Sequence, residues 1–310
     1  MERIIESTVP GNFDGYRLDR YLAERFTYLS RSAWQREIGA GNISLNGSVV
    51  VNYHKRLKGG DFMSFTGRDI YEPEVDRDYA LLYEDDDILA VNKPGNIPVH
   101  PSGRFFHNTL LMILQEDRGQ SLFPVHRLDR ETSGVILFAK NAETVSLLNR
   151  KSDSWEKIYL ALVHGTVGEG PFMDNTPIGS DPRSHIQKRR AAYEGAPEEA
   201  LTLFERISVF GKYSLVQATL RTGRQHQIRV HLLHQGYPIV GDKLYGLDER
   251  YYLEFIEKGY TPELLTKLGF PRSALHAWKL HFPHPRMGKI ISVVAPLPRD
   301  MEEFIGGLEI

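Results

Sequence analysis

Short apolar runs bounded by turn residues recur along the chain beyond residue 79, and they constrain the fold more than any other feature. "ALLYEDDDILAVNKP" reads as two strands around an acidic turn, and further strands are predicted at 134–139, 158–163, 201–209, 213–220 and 290–295. Helical periodicity predicts helices at 107–116, 141–151, 225–235 and 261–268. Strands outnumber helices and connect mostly in hairpins. The expected class is therefore α+β, with a large mixed, mainly antiparallel sheet and flanking helices. "GTVGEG" at 165–170 reads as a hairpin turn, and residues 179–200, which lack periodicity, read as one long loop.

The first 72 residues show a different pattern. Leu18, Leu22, Phe26 and Leu29 fall at helical spacing, and Ser30 reads as the cap of a second helix carrying Trp34 and Ile38 on one face. Gly39 and Gly41 end that helix. "NISLNGSVV" and "LKGGDFMSF" read as strands with tight turns. Residues 66–79 are polar and carry Pro73, so a linker is placed there. The expected division is a small α/β unit at 1–72, a linker at 73–78 and a large domain at 79–310. Arg17, Arg20, Arg31, Arg36, Lys55, Arg56 and Lys58 mark the polar faces of the small unit, but Asp19, Glu24 and Glu37 are interleaved. Charge alone favours an ordinary solvated surface.

Composition removes several chemistries. The chain has no cysteine, which excludes disulfides and thiolate nucleophiles and suits a reducing cytoplasm. No apolar run approaches the roughly 20 residues of a membrane span. A net charge of −2 means that any nucleic acid must be met by local basic patches. There is no P-loop, no G-x-S-x-G elbow and no dinucleotide fingerprint, so redox and methyl-transfer chemistry lose ground.

Three polar clusters carry the candidate chemistry. In "HRLDRETSGVILFAK", Asp129 lies between Arg127 and Arg130 and just before a buried run. A carboxylate beside guanidiniums stays ionised, and in a dry cleft it serves as a nucleophile or an electrostatic stabiliser. In "LRTGRQHQIRVHLLHQGYPIVGDKLYG", Gln225, Ile228, Arg229 and Leu232 share a helical face. An arginine there needs a carboxylate, and Asp129 is a candidate. His226, His231 and His234 invite a metal reading, but no H-E-x-x-H pattern accompanies them, and no metal is expected. In "VNKPGNIPVHPSGRFFHNT", Lys93, His100, Arg104 and His107 could line a polyanion cleft.

These strings together resemble one family. "HRLDRETSG" with "VILFAK" is similar to the signature of the RluA family of pseudouridine synthases. "DDILAVNKPGNIPVHP", "KIYLALVHG", "TGRQHQIRVHLLHQGYPIVGDKLYG" and "LHAWKLHFPHP" resemble its other motifs in the family's order, across residues 79–298. "YRLDRYLAERF" and "SRSAWQREIGAGNISLNG" resemble a small RNA-binding module first described in a small-subunit ribosomal protein. The resemblance implies isomerisation of uridine in RNA to pseudouridine, without cofactor or metal. It implies Asp129 as the essential carboxylate, Arg229 as its partner and Tyr159 as the stacking residue. Arg127 would fill the space left by the flipped uridine, with Lys93, Arg224 and His226 in support. Arg17, Arg20, Arg31, Arg36, Lys55 and Arg56 become candidate phosphate contacts. The implied partner is ribosomal RNA or tRNA. A cytoplasmic monomer is expected, with no obligate protein partner. Residues 247–274 form a long insertion relative to compact members. Two rival readings stand beside this one: a carboxylate-dependent nucleosidase or glycoside hydrolase, which needs a second acid, and a non-catalytic RNA-binding protein of the same fold.

Overall fold

The computed structural model describes the chain except residues 1–2, 27–28, 30, 68–71, 103–104 and 309–310. Ser30 as a helix cap, Arg104 in the polyanion cleft and part of the 66–79 linker lie outside the described residues. The chain forms two compact units, one of residues 1–75 with 100–112, the other of 76–99 with 113–310.

The first unit holds β1 (Arg3–Thr8), α1 (Leu18–Arg25), α2 (Arg31–Gly39), β2 (Ile43–Leu45), β3 (Ser48–Val49) and β4 (Phe62–Gly67). Its sheet runs β1-β4-β2-β3, all antiparallel. β1 was not anticipated from sequence; it takes its place by pairing with β4, far along the chain. Leu18 and Leu22 of α1 pack with Trp34 and Ile38 of α2 against Phe65 and Ile43. α1 stops at Arg25, so Phe26 and Leu29 reach this core from beyond the helix. The buried Asp19 ties the helices together, accepting from Arg17 (3.0 Å), Arg31 (3.0 Å) and Gln35 (2.7 Å).

The second unit is built on β5 (Ala80–Glu84), β6 (Ile88–Lys93), most of α3 (Leu110–Arg118), β7 (Phe123–Pro124), β8 (Ser133–Ala139), α4 (Ala142–Asn149) and β9 (Glu156–His164). It continues with β10 (Phe172–Asp174), β11 (Ile178–Ser180), β12 (Arg190–Ala192), β13 (Thr202–Phe210), β14 (Tyr213–Leu220) and α5 (Gln227–His234). It closes with α6 (Arg250–Lys258), α7 (Pro262–Leu268), β15 (Leu275–Pro283), β16 (Ile290–Val294) and α8 (Arg299–Gly306). The large sheet runs β10-β13-β14-β9-β15-β8-β6-β5, with β16 on β15 and β7 on β8. Its pairs are antiparallel except β15 with β8, so the expected mixed, mainly antiparallel sheet is present. β6 and β8 are buried almost throughout, which is why both read as unbroken apolar runs. No described helix is long and apolar enough to cross a membrane.

Three local expectations are corrected. Residues 165–170 do not close a hairpin, because β9 pairs with β14 and β15 while β10 pairs with β13. The 179–200 stretch is not one loop: β11 and β12 pair within it. The helix expected at 225–235 starts at Gln227, so Gln225 is not on its face. Helices α6 and α8 were not anticipated, although their sequences, RYYLEFIEK and RDMEEFIG, interleave apolar residues with charged ones at helical spacing.

The parallel contact between β15 and β8 positions the candidate site. Ser133 and Gly134 sit opposite His276 and Ala277, and a side chain on Gly134 would bring its Cβ to 2.1 Å from the Ala277 carbonyl oxygen. Gly134 also has φ +110, open to glycine and hardly to other residues. This close approach anchors the end of the segment that carries Asp129.

Candidate active site

In "HRLDRETS", His126 and residues 129–133 are held by hydrogen bonds from several parts of the chain. His126 accepts from the Leu137 amide (3.1 Å), and burial pushes its pKa down to about 3, so the ring is a neutral acceptor. The Asp129 carbonyl closes a turn with the Thr132 amide (3.1 Å). Lys93 donates to the Arg130 carbonyl (3.1 Å) and to the carbonyls of Pro94 and Ile97 (2.9 Å each). The Glu131 carboxylate accepts from Lys243 and from the Ser273 amide (2.9 Å each), while its carbonyl accepts from Arg272 (3.1 Å). Ser133 Oγ meets His276 Nδ1 at 3.0 Å. A loop pinned at so many backbone and side-chain atoms has little freedom, which is what a positioned carboxylate requires.

Asp129 lies on the wall of a cleft of about 450 Å³, lined also by Arg127, Lys157, Tyr159, Arg224, His226 and Arg229. Among the described lining residues, Asp129 is the one carboxylate. Arg229 of α5 donates through Nη1 to Asp129 Oδ2 at 2.7 Å, the pairing expected from the sequence. A second carboxylate was missed. Asp242 accepts from Arg229 Nε (2.5 Å) and Nη2 (2.8 Å), and from the amides of Leu244 and Tyr245 (2.9 Å each). The guanidinium is thus held in a bidentate grip from behind, and its remaining face is presented to Asp129. Burial works to raise the Asp129 pKa, but His226, which is protonated in the acid range where Asp129 titrates, together with Arg229 and Arg127 outweighs it, and the carboxyl stays below its ordinary value. Asp129 is ionised at neutral pH. Tyr159, on β9, is buried in the cleft wall, and burial together with the Asp129 charge raises its pKa, so the phenol keeps its proton.

The other expected residues fall into two groups. Arg127 and Arg224 are exposed at the cleft, Arg224 held by the Glu199 carbonyl (2.8 Å). His226 places Nε2 3.8 Å from Asp129 Oδ1. Lys93 does not line the cleft. It is fully buried and its ammonium protons go to three carbonyls, so its place is behind the loop and not against a substrate. Lys157, unassigned from sequence, lines the cleft two residues before Tyr159 on the same strand face. That alternation was the available signal.

The histidines do not converge. His231 is buried against Thr202 Oγ1 (2.9 Å) and the Thr176 carbonyl (3.0 Å), and His234 pairs with Asp174 (2.7 Å). Among the described residues, Asp85, Asp87 and His284 are grouped closely enough to share an ion, but Tyr83, His284 and Arg286 already pair with these carboxylates. In the first unit, Arg17 and Arg31 are turned onto Asp19, Arg20 onto Glu24 (2.8 Å) and Arg56 onto the Gly15 carbonyl (2.8 Å). Arg36 and Lys55 are exposed.

Known proteins share this architecture. The structure titled human RNA Pseudouridylate Synthase Domain Containing 1 matches with a TM-score of 0.58 at 23% identity, over 77% of this chain and 98% of that one. The fold is that of a pseudouridine synthase. Residues 87–234 match the family described as RNA pseudouridylate synthase. The chain is 35% identical to the ribosomal large subunit pseudouridine synthase D of Xylella fastidiosa, covering 98% of this chain and 92% of that protein. It is 33% identical to the protein of the same name from Vibrio cholerae, over 96% and 93%. The chain belongs to the RluA family of RNA pseudouridine synthases, which isomerise uridine in RNA.

Proposed function

We propose that this enzyme modifies uridine in large-subunit ribosomal RNA, with Asp129 as its catalytic carboxylate. The single observation that carries the site assignment is Asp129 itself, the one described carboxylate lining the cleft, ionised and held by an arginine. The names of the relatives support the choice of RNA. Isomerisation breaks N1–C1′, turns the base and joins C5 to C1′; C5 then loses its proton and N1 takes one up, so the overall change is an isomerisation. Attack of the carboxylate on C1′ and removal of the C2′ proton both call for an ionised oxygen next to the ribose. Arg229 occupies Oδ2, which leaves Oδ1 for that task. Tyr159 stacks on the flipped base, and Arg127 at the rim fills the gap left in the RNA, because a base inside a helix cannot reach the cleft without leaving its stack. A hydrolase of the two-carboxylate type is disfavoured, since Asp242 and Glu131 are bound to cations and do not line the cleft. A monomer acting in the cytoplasm is part of this proposal. The test is to incubate the protein with total RNA from a strain lacking it and to map carbodiimide-dependent reverse-transcription stops. New stops in the large-subunit RNA are expected; stops confined to tRNA would reassign the substrate.

The first unit is proposed to add RNA affinity. Arg17 and Arg31 are held by the buried Asp19, whereas Arg20 pairs only with the exposed Glu24, a weak surface pair, so Arg20 joins the exposed Arg36 and Lys55 as the better phosphate contacts. Changing these three to glutamine should weaken RNA binding and reduce the slope of log affinity against log salt by about 2, since each lost contact releases fewer counterions. An unchanged slope would show that the surface does not touch RNA.

A further inference from the structure

His226 combines an unusual backbone with a defined hydrogen-bond partner. Three described non-glycine residues have left-handed φ. Two are asparagines, which tolerate it, and the third is His226 at φ +59. Strain of this kind marks positions that the surroundings hold in place. The ring is 10% exposed, and its Nδ1 lies 2.7 Å from the Tyr245 hydroxyl. That hydroxyl, fully buried, already accepts from the Arg190 amide (3.0 Å). If Nδ1 carried the imidazole proton, the phenol would accept twice and its own hydrogen would have no acceptor among the described residues. A buried donor is not left so. Tyr245 therefore donates to Nδ1, and the ring proton sits on Nε2. Burial and the Arg229 charge push the imidazolium pKa down to about 4, against the opposing pull of Asp129 and Asp242, so the ring is neutral.

Resting on the assignment of Asp129 as the catalytic carboxylate, we infer that His226 is a catalytic residue whose Nε2–H hydrogen-bonds O2 of the flipped uracil, and that Tyr245 is the positioning residue that locks this tautomer. Nε2 stands 3.8 Å from Asp129 Oδ1, the oxygen free to act at the ribose. When N1–C1′ breaks, the electron pair stays on N1 and spreads to O2 and O4. O2 is the carbonyl oxygen next to the breaking bond, so it lies on the Oδ1 side of the base. A fixed neutral donor there stabilises charge as it develops. No proton is transferred from His226; the neutral ring keeps its Nε2–H throughout.

Two measurements test this. In long-range proton–nitrogen spectra of the full chain at pH 7, the signal missing in His226→Asn should report a neutral ring protonated on Nε2, and Tyr245→Phe should populate the other tautomer. An imidazolium, or an Nδ1–H ring in the wild type, would overturn the proposal. In single-turnover assays His226→Asn, which suits the left-handed backbone, should lose about 100-fold in rate. Replacing the target uridine by 2-thiouridine, a weaker acceptor, should slow the wild type about tenfold and His226→Asn hardly at all. An equal thio effect in both proteins would refute contact with O2. Retained turnover in Asp129→Asn would instead overturn the reading of the site itself, whatever the tautomer.

Discussion

Asp129→Asn is expected to lower pseudouridine formation by at least about a thousandfold while leaving the protein folded and able to bind RNA. The substitution keeps volume and removes the charge that either route at the ribose needs. The fold should survive because Arg229 retains its bidentate partner Asp242 and is not left buried alone. Pseudouridine quantified by mass spectrometry, with urea unfolding and RNA binding measured on the same preparation, checks all three parts. Turnover within tenfold of wild type would remove Asp129 from the centre.

Arg229→Met should have the largest effect on stability. The change leaves Asp242, with a side chain that is 0% exposed, and Asp129, at 22%, without their shared cation. Breaking a buried pair in this way typically costs about 3–5 kcal/mol, and activity should vanish with it. The pairing is unequal. Asp242 takes two N–H groups and is the more buried, whereas Asp129 takes one and faces the cleft. Adding Asp242→Leu should therefore recover more stability than adding Asp129→Leu, with a coupling of about 2–3 kcal/mol for Asp242 in a double-mutant cycle by denaturant unfolding. Equal couplings would mean that Asp129 is as tightly bound as Asp242, and additive losses would mean that neither depends on Arg229.

These two variants mark where local sequence stops being informative. That Arg229 needed a carboxylate was legible, because a charge beside Ile228 and Leu232 on a helical segment cannot be left unpaired. Its partner Asp129 was legible from a motif with guanidiniums around it. Asp242 was not, although it lies 13 residues away, because nothing in "VGDKLYG" distinguishes an aspartate that turns inward from one that faces water. Its orientation is set by Gly241, where φ is +75 and a Cβ would come within 2.0 Å of the Arg272 carbonyl oxygen.

By itself the sequence determined the alternation of buried strands, the mainly antiparallel sheet, and a candidate pairing of Asp129 with Arg229. These depend on periodicity and on short motifs, which are local. Tertiary structure alone decided which polar groups meet. It sent Lys93 to three carbonyls behind the loop, paired β1 with β4 and β11 with β12, and set Tyr245 against His226. The physical reason is that a buried polar atom must find a partner, and any of several would serve. Which one it finds depends on chain segments brought together by packing the apolar strands, and that information is spread over the whole chain.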